Sequence, residues 1–241
     1  MNEIKQQIIM FISGNPILGV LLTAVVYYLA QLLYKKCHAT PVLHPVMVSI
    51  AVIIVLLLLF GVSYETYFNG AQLIHFFLGP ATVALAWPLH QHAQSIKKLW
   101  FPVLVSVACG VLVGATSAMY LAQWLGASEL TQLSLAPKSV TTPVALAVVE
   151  IIGGLPALTA GFVIITGVIG AMFGALVFKL LGIEDQRVKG IAMGVSAHGV
   201  GTARAWQINP VMGTFSGLAM TVAALMIAFI LPPWLQLLGF V

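Results

Sequence analysis

Ala136-Pro137-Lys138-Ser139-Val140-Thr141-Thr142-Pro143-Val144-Ala145 sits in the middle of an otherwise apolar run from Ser128 to Ile152. Proline has no backbone N–H and clashes with the preceding helical turn, so Pro137 and Pro143 break any regular helix through this run. The residues between them are polar: one ammonium, from Lys138, and the hydroxyls of Ser139, Thr141 and Thr142. A second apolar run, Gln186 to Ile208, breaks in the same manner at Ser196-Ala197-His198-Gly199-Val200-Gly201-Thr202-Ala203-Arg204. Here Gly199 and Gly201 offer backbone angles that other residues avoid. Two half-helices joined by a polar tip are thus expected at each site.

Working outward, the flanking sequence is that of a membrane protein. A hydrocarbon core about 30 Å thick takes about 20 apolar helical residues. Spans are expected over Pro16 to Tyr34, Pro45 to Phe60, Leu73 to His92 (weakened by Gly79-Pro80 and Pro88), Phe101 to Leu125, Leu155 to Leu181 and Met212 to Leu231, the last stopped by Pro232-Pro233. Ser63 to Gly70 reads as a polar loop. The fold class is therefore all-α and polytopic, with about six spanning helices plus two re-entrant or broken segments. No polar stretch is long enough for a soluble domain, so residues 1–241 read as one integral membrane domain. The start, Met1-Asn2-Glu3-Ile4-Lys5, leads into no A-x-A-like cleavage site, and the first span is expected to remain as its own insertion signal.

Composition agrees. Of 241 residues, 61% are hydrophobic and 7% charged, against about 25% charged in soluble domains. Mean hydropathy is +1.07. Sixteen charged side chains cannot wet the surface of a soluble fold this long, which excludes a soluble enzyme, a nucleic-acid-binding domain and a disordered regulator. The net charge of +4 comes from short basic clusters at span ends, as in cytoplasmic anchors. The tyrosines and tryptophans at span ends read as interface anchors, and His90 and His92 as interfacial.

The two breaks repeat. Lys138 to Ala145 aligns with His198 to Ala205 at an offset of 60 (198 − 138), and Gly110 and Gly114 align with Gly170 and Gly174 at the same offset. The latter pairs are small-xxx-small faces suited to close helix packing. The repeat units run over about residues 101–152 and 155–210. If Ser128 to Ile152 crossed the membrane, Lys179, Arg187 and Lys189 would fall outside. If it returns as a hairpin, they join Lys35-Lys36 and Lys97-Lys98 in the cytoplasm, as the positive-inside rule prefers. The hairpin reading also inverts the repeat, so both tips approach the midplane from opposite faces, as in transporters built on inverted repeats.

The charges at the breaks have one sign. Lys138 and Arg204, with His198 beside them, are accompanied by no carboxylate; the nearest is Glu150, at the far end of the first segment. This favours a small anionic substrate, most economically a carboxylate. The expected substrate-binding set is Lys138, Ser139, Thr141, Thr142, His198, Thr202 and Arg204, with His198 and Glu150 as coupling groups. Structural roles compete with this reading. Lys138 can pair with Glu150, the hydroxyls can cap half-helices, and the His198 ring can simply bond a carbonyl. Gly194-Val195-Ser196-Ala197-His198 lacks the second glycine of a nucleophile elbow and its strand–turn–helix context, which argues against an enzyme. No metal-ligand cluster or cofactor motif is present, and no cofactor is expected.

The Pro137–Pro143 heptapeptide, the Ser196–Ala203 segment and Leu78-Gly79-Pro80-Ala81-Thr82-Val83-Ala84-Leu85-Ala86 resemble signature segments of the LrgB/CidB family, with similarity over nearly the whole chain. That resemblance implies holin/antiholin-like modulation of murein hydrolase activity and autolysis with a small LrgA/CidA-type membrane partner. It also implies, from plant chloroplast relatives, glycolate/glycerate transport, and from some bacterial relatives, pyruvate movement. The leading expectation is a secondary transporter of small monocarboxylates, possible proton coupling included, working by alternating access at a midplane site. The alternative is the holin/antiholin-like modulator. The expected setting is the bacterial inner (plasma) membrane, with membrane lipid around a homo-oligomer and no nucleic-acid partner.

Overall fold

The computed structural model describes residues 16–37, 43, 45–84 and 86–241. The reading of the first residues as an insertion signal lies outside them. The described residues form helices, turns and loops, in two compact units, Met1–Ala86 and Trp87–Val241. Among the described residues, four helices are long and apolar enough to cross a membrane: Ile17–Lys36, Ile96–Trp124, Pro156–Leu180 and Pro210–Leu237.

The first unit holds α1 (Pro16–Lys36), α2 (Pro45–Phe60) and α3 (Tyr64–Ala84). Helix α1 packs on both others. Gly19 lets it meet the backbone of Gly70 and Ala71, and Thr23 Oγ1 lies 2.8 Å from the Tyr67 hydroxyl. The expected loop over Ser63–Gly70 is instead the first two turns of α3. Ser63 accepts the Thr66 N–H at 3.2 Å, as a helix cap does, and starts the helix early. Pro80 lies inside α3.

The second unit begins at Trp87 within the short helix α4 (Ala86–Gln91) and continues with α5 (Ala93–Trp124). Then come α6 (Glu129–Leu135), α7 (Thr142–Ile152), α8 (Pro156–Leu180), α9 (Gln186–Ile208) and α10 (Pro210–Leu237). Helix α5 starts eight residues before the expected span and runs through Lys97-Lys98 and Pro102. Helix α10 runs on through Pro232-Pro233, because fully buried Leu231 and Leu235 hold its core face on both sides of the pair. The core joins Val107, Val111 and Met119 of α5 to Val148 and Val149 of α7, Val163 of α8 and Ala219, Ile227 and Leu231 of α10. In an apolar solvent such packing is held by close van der Waals contact rather than by exclusion of water, which gives the glycine stripes their weight.

Both broken segments double back. In the first, the Leu155 N–H donates to Ser134 Oγ at 2.8 Å and Thr159 Oγ1 donates to the Ser134 carbonyl at 2.9 Å. The start of α8 therefore returns beside α6, with the tip at residues 136–141. In the second, a Cβ on Gly201 would stand 2.9 Å from the Met193 carbonyl oxygen, although eight residues of straight helix span about 12 Å. The chain has reversed at His198, the one residue inside α9 with non-helical angles (φ 40°, ψ −130°). Gly190 packs on Met212 and Gly194 on Ser216, so the first arm of α9 runs parallel to α10. Thr202 meets Ser216 and Gly213 meets Trp206, so the second arm runs antiparallel.

Candidate functional site

The two tips approach the same stretch of α5. Lys138 Nζ donates to the Gly114 carbonyl at 3.0 Å, and Gly110 sits against Val195 of the second hairpin. Gly114 lies ten residues from the Trp124 end of α5, about 15 Å along the helix axis. Small residues make the approach possible. Gly170 and Gly174 of α8 press on Ala197 and Met193, leaving no room for a side chain. Gly114 departs from the expected packing face. No atom lies within 4 Å of a Cβ built there, because it opens onto a cleft.

That cleft measures about 1080 Å³. One wall is α5, from Leu99 to Leu121, with Ser106, Gly110, Gly114 and Ser117. Thr166 and Gly170 of α8 and Val195 and Ser196 of α9 form others, and Lys138 and Ser139 reach in from the first tip. Asp185 and Arg187 lie at the opposite end. Their side chains pair, with Arg187 Nε 3.0 Å from Asp185 Oδ1, and Asp185 caps α9 by accepting the Arg187 N–H at 2.8 Å. These bonds hold the Asp185 carboxyl down to about 2 and push the Arg187 guanidinium up.

The walls are mostly apolar, and their hydroxyls differ in what they offer. Ser106 donates to Val103 and Ser196 to Ala192 within their own helices, so each offers only lone pairs to the cleft. Lys138 spends one N–H on Gly114 and keeps two. It is half-buried, and no carboxylate of the described residues stands within ion-pair distance of it. An anion entering this cleft finds its strongest donor there.

Other residues singled out in the sequence stand elsewhere. Pro137 follows the C-cap Ala136 of α6, and Pro143 lies in the first turn of α7. Thr141 is the α7 N-cap position, with its side chain making no capping bond, and Thr142 follows it. Glu150 is exposed on α7 and does not line the cleft. Arg204 lies on the second arm of α9, half-buried, with Nη1 3.1 Å from Gln207 Oε1, and is not a wall of the cleft either.

His198 and Thr202 form a buried lock behind the cleft. The His198 ring Nε2 lies 3.0 Å from the Val163 carbonyl and rests over Gly167. Thr202 Oγ1 donates to the His198 carbonyl at 2.8 Å and lies 2.9 Å from Ser216 Oγ. Through one residue the second tip is tied to α8 and, by way of Thr202, to α10. The expectation that Gly199 and Gly201 would supply the unusual angles is corrected: the positive φ belongs to His198. Gly199 has no close neighbour, and Gly201 serves where the arms touch. A turn with these angles costs an L-residue about 1–3 kcal/mol and glycine almost nothing, so the imidazole is kept there for its contacts.

The α5 wall was missed at the sequence level. Its signal is present, since Ser106, Gly110, Gly114 and Ser117 recur on one face of an apolar helix.

Fold and cleft together define a helical membrane protein with a polar tip brought to mid-helix depth. A model of the LrgB-like family matches residues 23–237, and the chain belongs to that family. It is 39% identical over 210 residues to uncharacterized protein YwbG of Bacillus subtilis strain 168, covering 87% of this chain and 93% of that one. It is 32% identical over 232 residues to holin-like protein CidB of Staphylococcus epidermidis (96% and 97%). It is 30% identical over 225 residues to antiholin-like protein LrgB of Bacillus subtilis (93% and 97%). No solved structure matches the chain.

Proposed function

We propose that this protein moves small monocarboxylates of the glycolate, glycerate or pyruvate kind across a bacterial plasma membrane, without being an enzyme. The observation that carries the reading is the Lys138 ammonium, held in a cleft between helices with two N–H groups uncommitted. Ser139 beside it, and Ser117 and Thr166 across from it, are the hydroxyls suited to a hydroxy or keto group. In this reading α1, α2, α3, α5, α8 and α10 cross the bilayer, and the hairpins enter from its two faces. Two observations support that arrangement. The first hairpin starts and ends beside the Leu155–Thr159 end of α8, the second runs back along α8 from its Lys179 end toward Val163, and Lys97, Lys98, Lys179, Arg187 and Lys189 gather at one side. Relative motion of the hairpins against α5 and α8 would alternate access.

A second reading is favoured by the names of the relatives. As a holin- or antiholin-like protein, this chain would modulate murein hydrolase activity and autolysis, with a small LrgA/CidA-type membrane partner.

Proteoliposomes decide between them. Uptake of labelled glycolate, glycerate, lactate or pyruvate that saturates, and that falls more than tenfold in Lys138→Gln, supports transport. Saturating uptake untouched by Lys138→Gln would overturn the site. Release of trapped neutral dye without any substrate, equal in wild type and variant, would favour the lesion-forming reading.

A further inference from the structure

A second cavity, of about 300 Å³, lies where α8 turns into α9, at the opposite end of α8 from the first hairpin. Lys179 and Lys189 both line it, with Glu184 on the rim and Phe178, Ile183 and Met212 among its apolar walls. The register of the two helices explains the gathering of charge. Gly170 faces Ala197 and Gly174 faces Met193, so the next step of this antiparallel series sets Phe178, and Lys179 beside it, against Lys189. Neither ammonium hydrogen-bonds or ion-pairs with another described residue, and the Glu184 carboxylate, though on the same rim, is paired with neither.

Two cations without hydrogen-bond or ion-pair partners, converging on one apolar-walled cavity at a span end, suit a phosphate anion with room for an apolar tail. We propose that this cavity is a binding site for a phosphate group, set at the membrane surface with the lysines on the phosphate oxygens. Its apolar walls face a lipid's glycerol and upper chains as readily as the body of a small phosphate ester. The site is separate from the Lys138 cleft and does not depend on the transport reading.

Native mass spectrometry of the detergent-purified full chain tests it, with phosphatidylglycerol and phosphatidylcholine as lipid probes and inorganic phosphate and glycerol phosphate as soluble ones. Phosphatidylglycerol is expected to stay bound in preference to phosphatidylcholine. Lys179→Gln and Lys189→Gln are each expected to weaken it about fivefold, the weight of one basic residue at an anionic surface. Lys97→Gln/Lys98→Gln, at a comparable span end but outside the cavity, should leave it unchanged. Glu184→Gln should tighten binding by removing a like charge from the rim. Retention of a soluble phosphate in place of lipid, with the same lysine dependence, would assign the site to a small phosphate ester. Equal losses in the Lys97/Lys98 variant, or none in the Lys179 and Lys189 variants, would overturn the proposal. Glu184→Gln keeps the test decisive should the lysine variants not purify.

Discussion

The two hairpins share a spacing in the sequence and differ in how they are built. The first turns through an open stretch between Ala136 and Thr141, with Pro137 in it and Pro143 just after it, and puts its cation, Lys138, into the cleft. The second turns on a single residue and buries its imidazole against a carbonyl of α8. One tip is left with uncommitted hydrogen-bonding capacity, while the other uses its polar groups to hold itself in place. Repetition in sequence thus goes with two tips that reach the same stretch of α5 without bonding alike. In the proposed reading, ligand chemistry falls to the first tip and alignment of the cleft wall to the second.

The largest effect that tests this contrast comes from the glycines. Gly194→Leu drives a side chain into the Ser216 carbonyl and should prevent accumulation of folded protein. Gly114→Leu enters open space and should leave a folded protein with a blocked cleft. Fluorescence size-exclusion chromatography separates the two, and equal folding of both variants would break the packing assignment.

Next comes the charge pair proposed from sequence. Lys138→Gln should reduce anion uptake more than tenfold, whereas Arg204→Gln, away from the cleft, should change it less than about threefold. The reverse order would move ligand binding to the second hairpin. At His198, alanine removes the ring contact and keeps the strained backbone, while glycine removes both. His198→Ala should lower the melting temperature, and His198→Gly should recover part of that loss, by about 1 kcal/mol or more. If glycine proves no more stable than alanine, strain at the second tip is refuted.

The smallest effect is at the cleft mouth. The folded Asp185 carboxyl sits near 2, below the usual unfolded value of about 3.9. Its contribution is therefore present above about pH 4 and lost as pH falls toward 2. Because the pair is exposed, screening keeps that contribution small. The melting-temperature gap between wild type and Asp185→Ala should narrow as pH drops through that window. A gap that widens on acidification would contradict the sign.

Much of this was legible before folding. Scarce charge and long apolar runs announced helices for an apolar solvent, and Pro137, Pro143 and the Ser196–Arg204 stretch marked where two of them break. Those are local properties: hydropathy sums along the chain, and a proline interrupts a helix wherever it stands. Early initiation at Ser63 and continuation through Pro232-Pro233 were less legible, because a cap and a buried face outweighed the local signals.

By itself, then, the sequence determined the solvent, the helices and the two breakpoints, since each follows from residues near one another in the chain. Only the tertiary structure decided which polar side chain meets the cleft. Lys138 and Arg204 look equivalent along the chain, yet one reaches across 24 residues to a carbonyl of α5 and the other bonds a neighbour three residues away. A side chain's task depends on which helix face its hairpin turns toward. That is set by close contacts, Gly110 on Val195 and Gly170 on Ala197, between residues far apart in sequence.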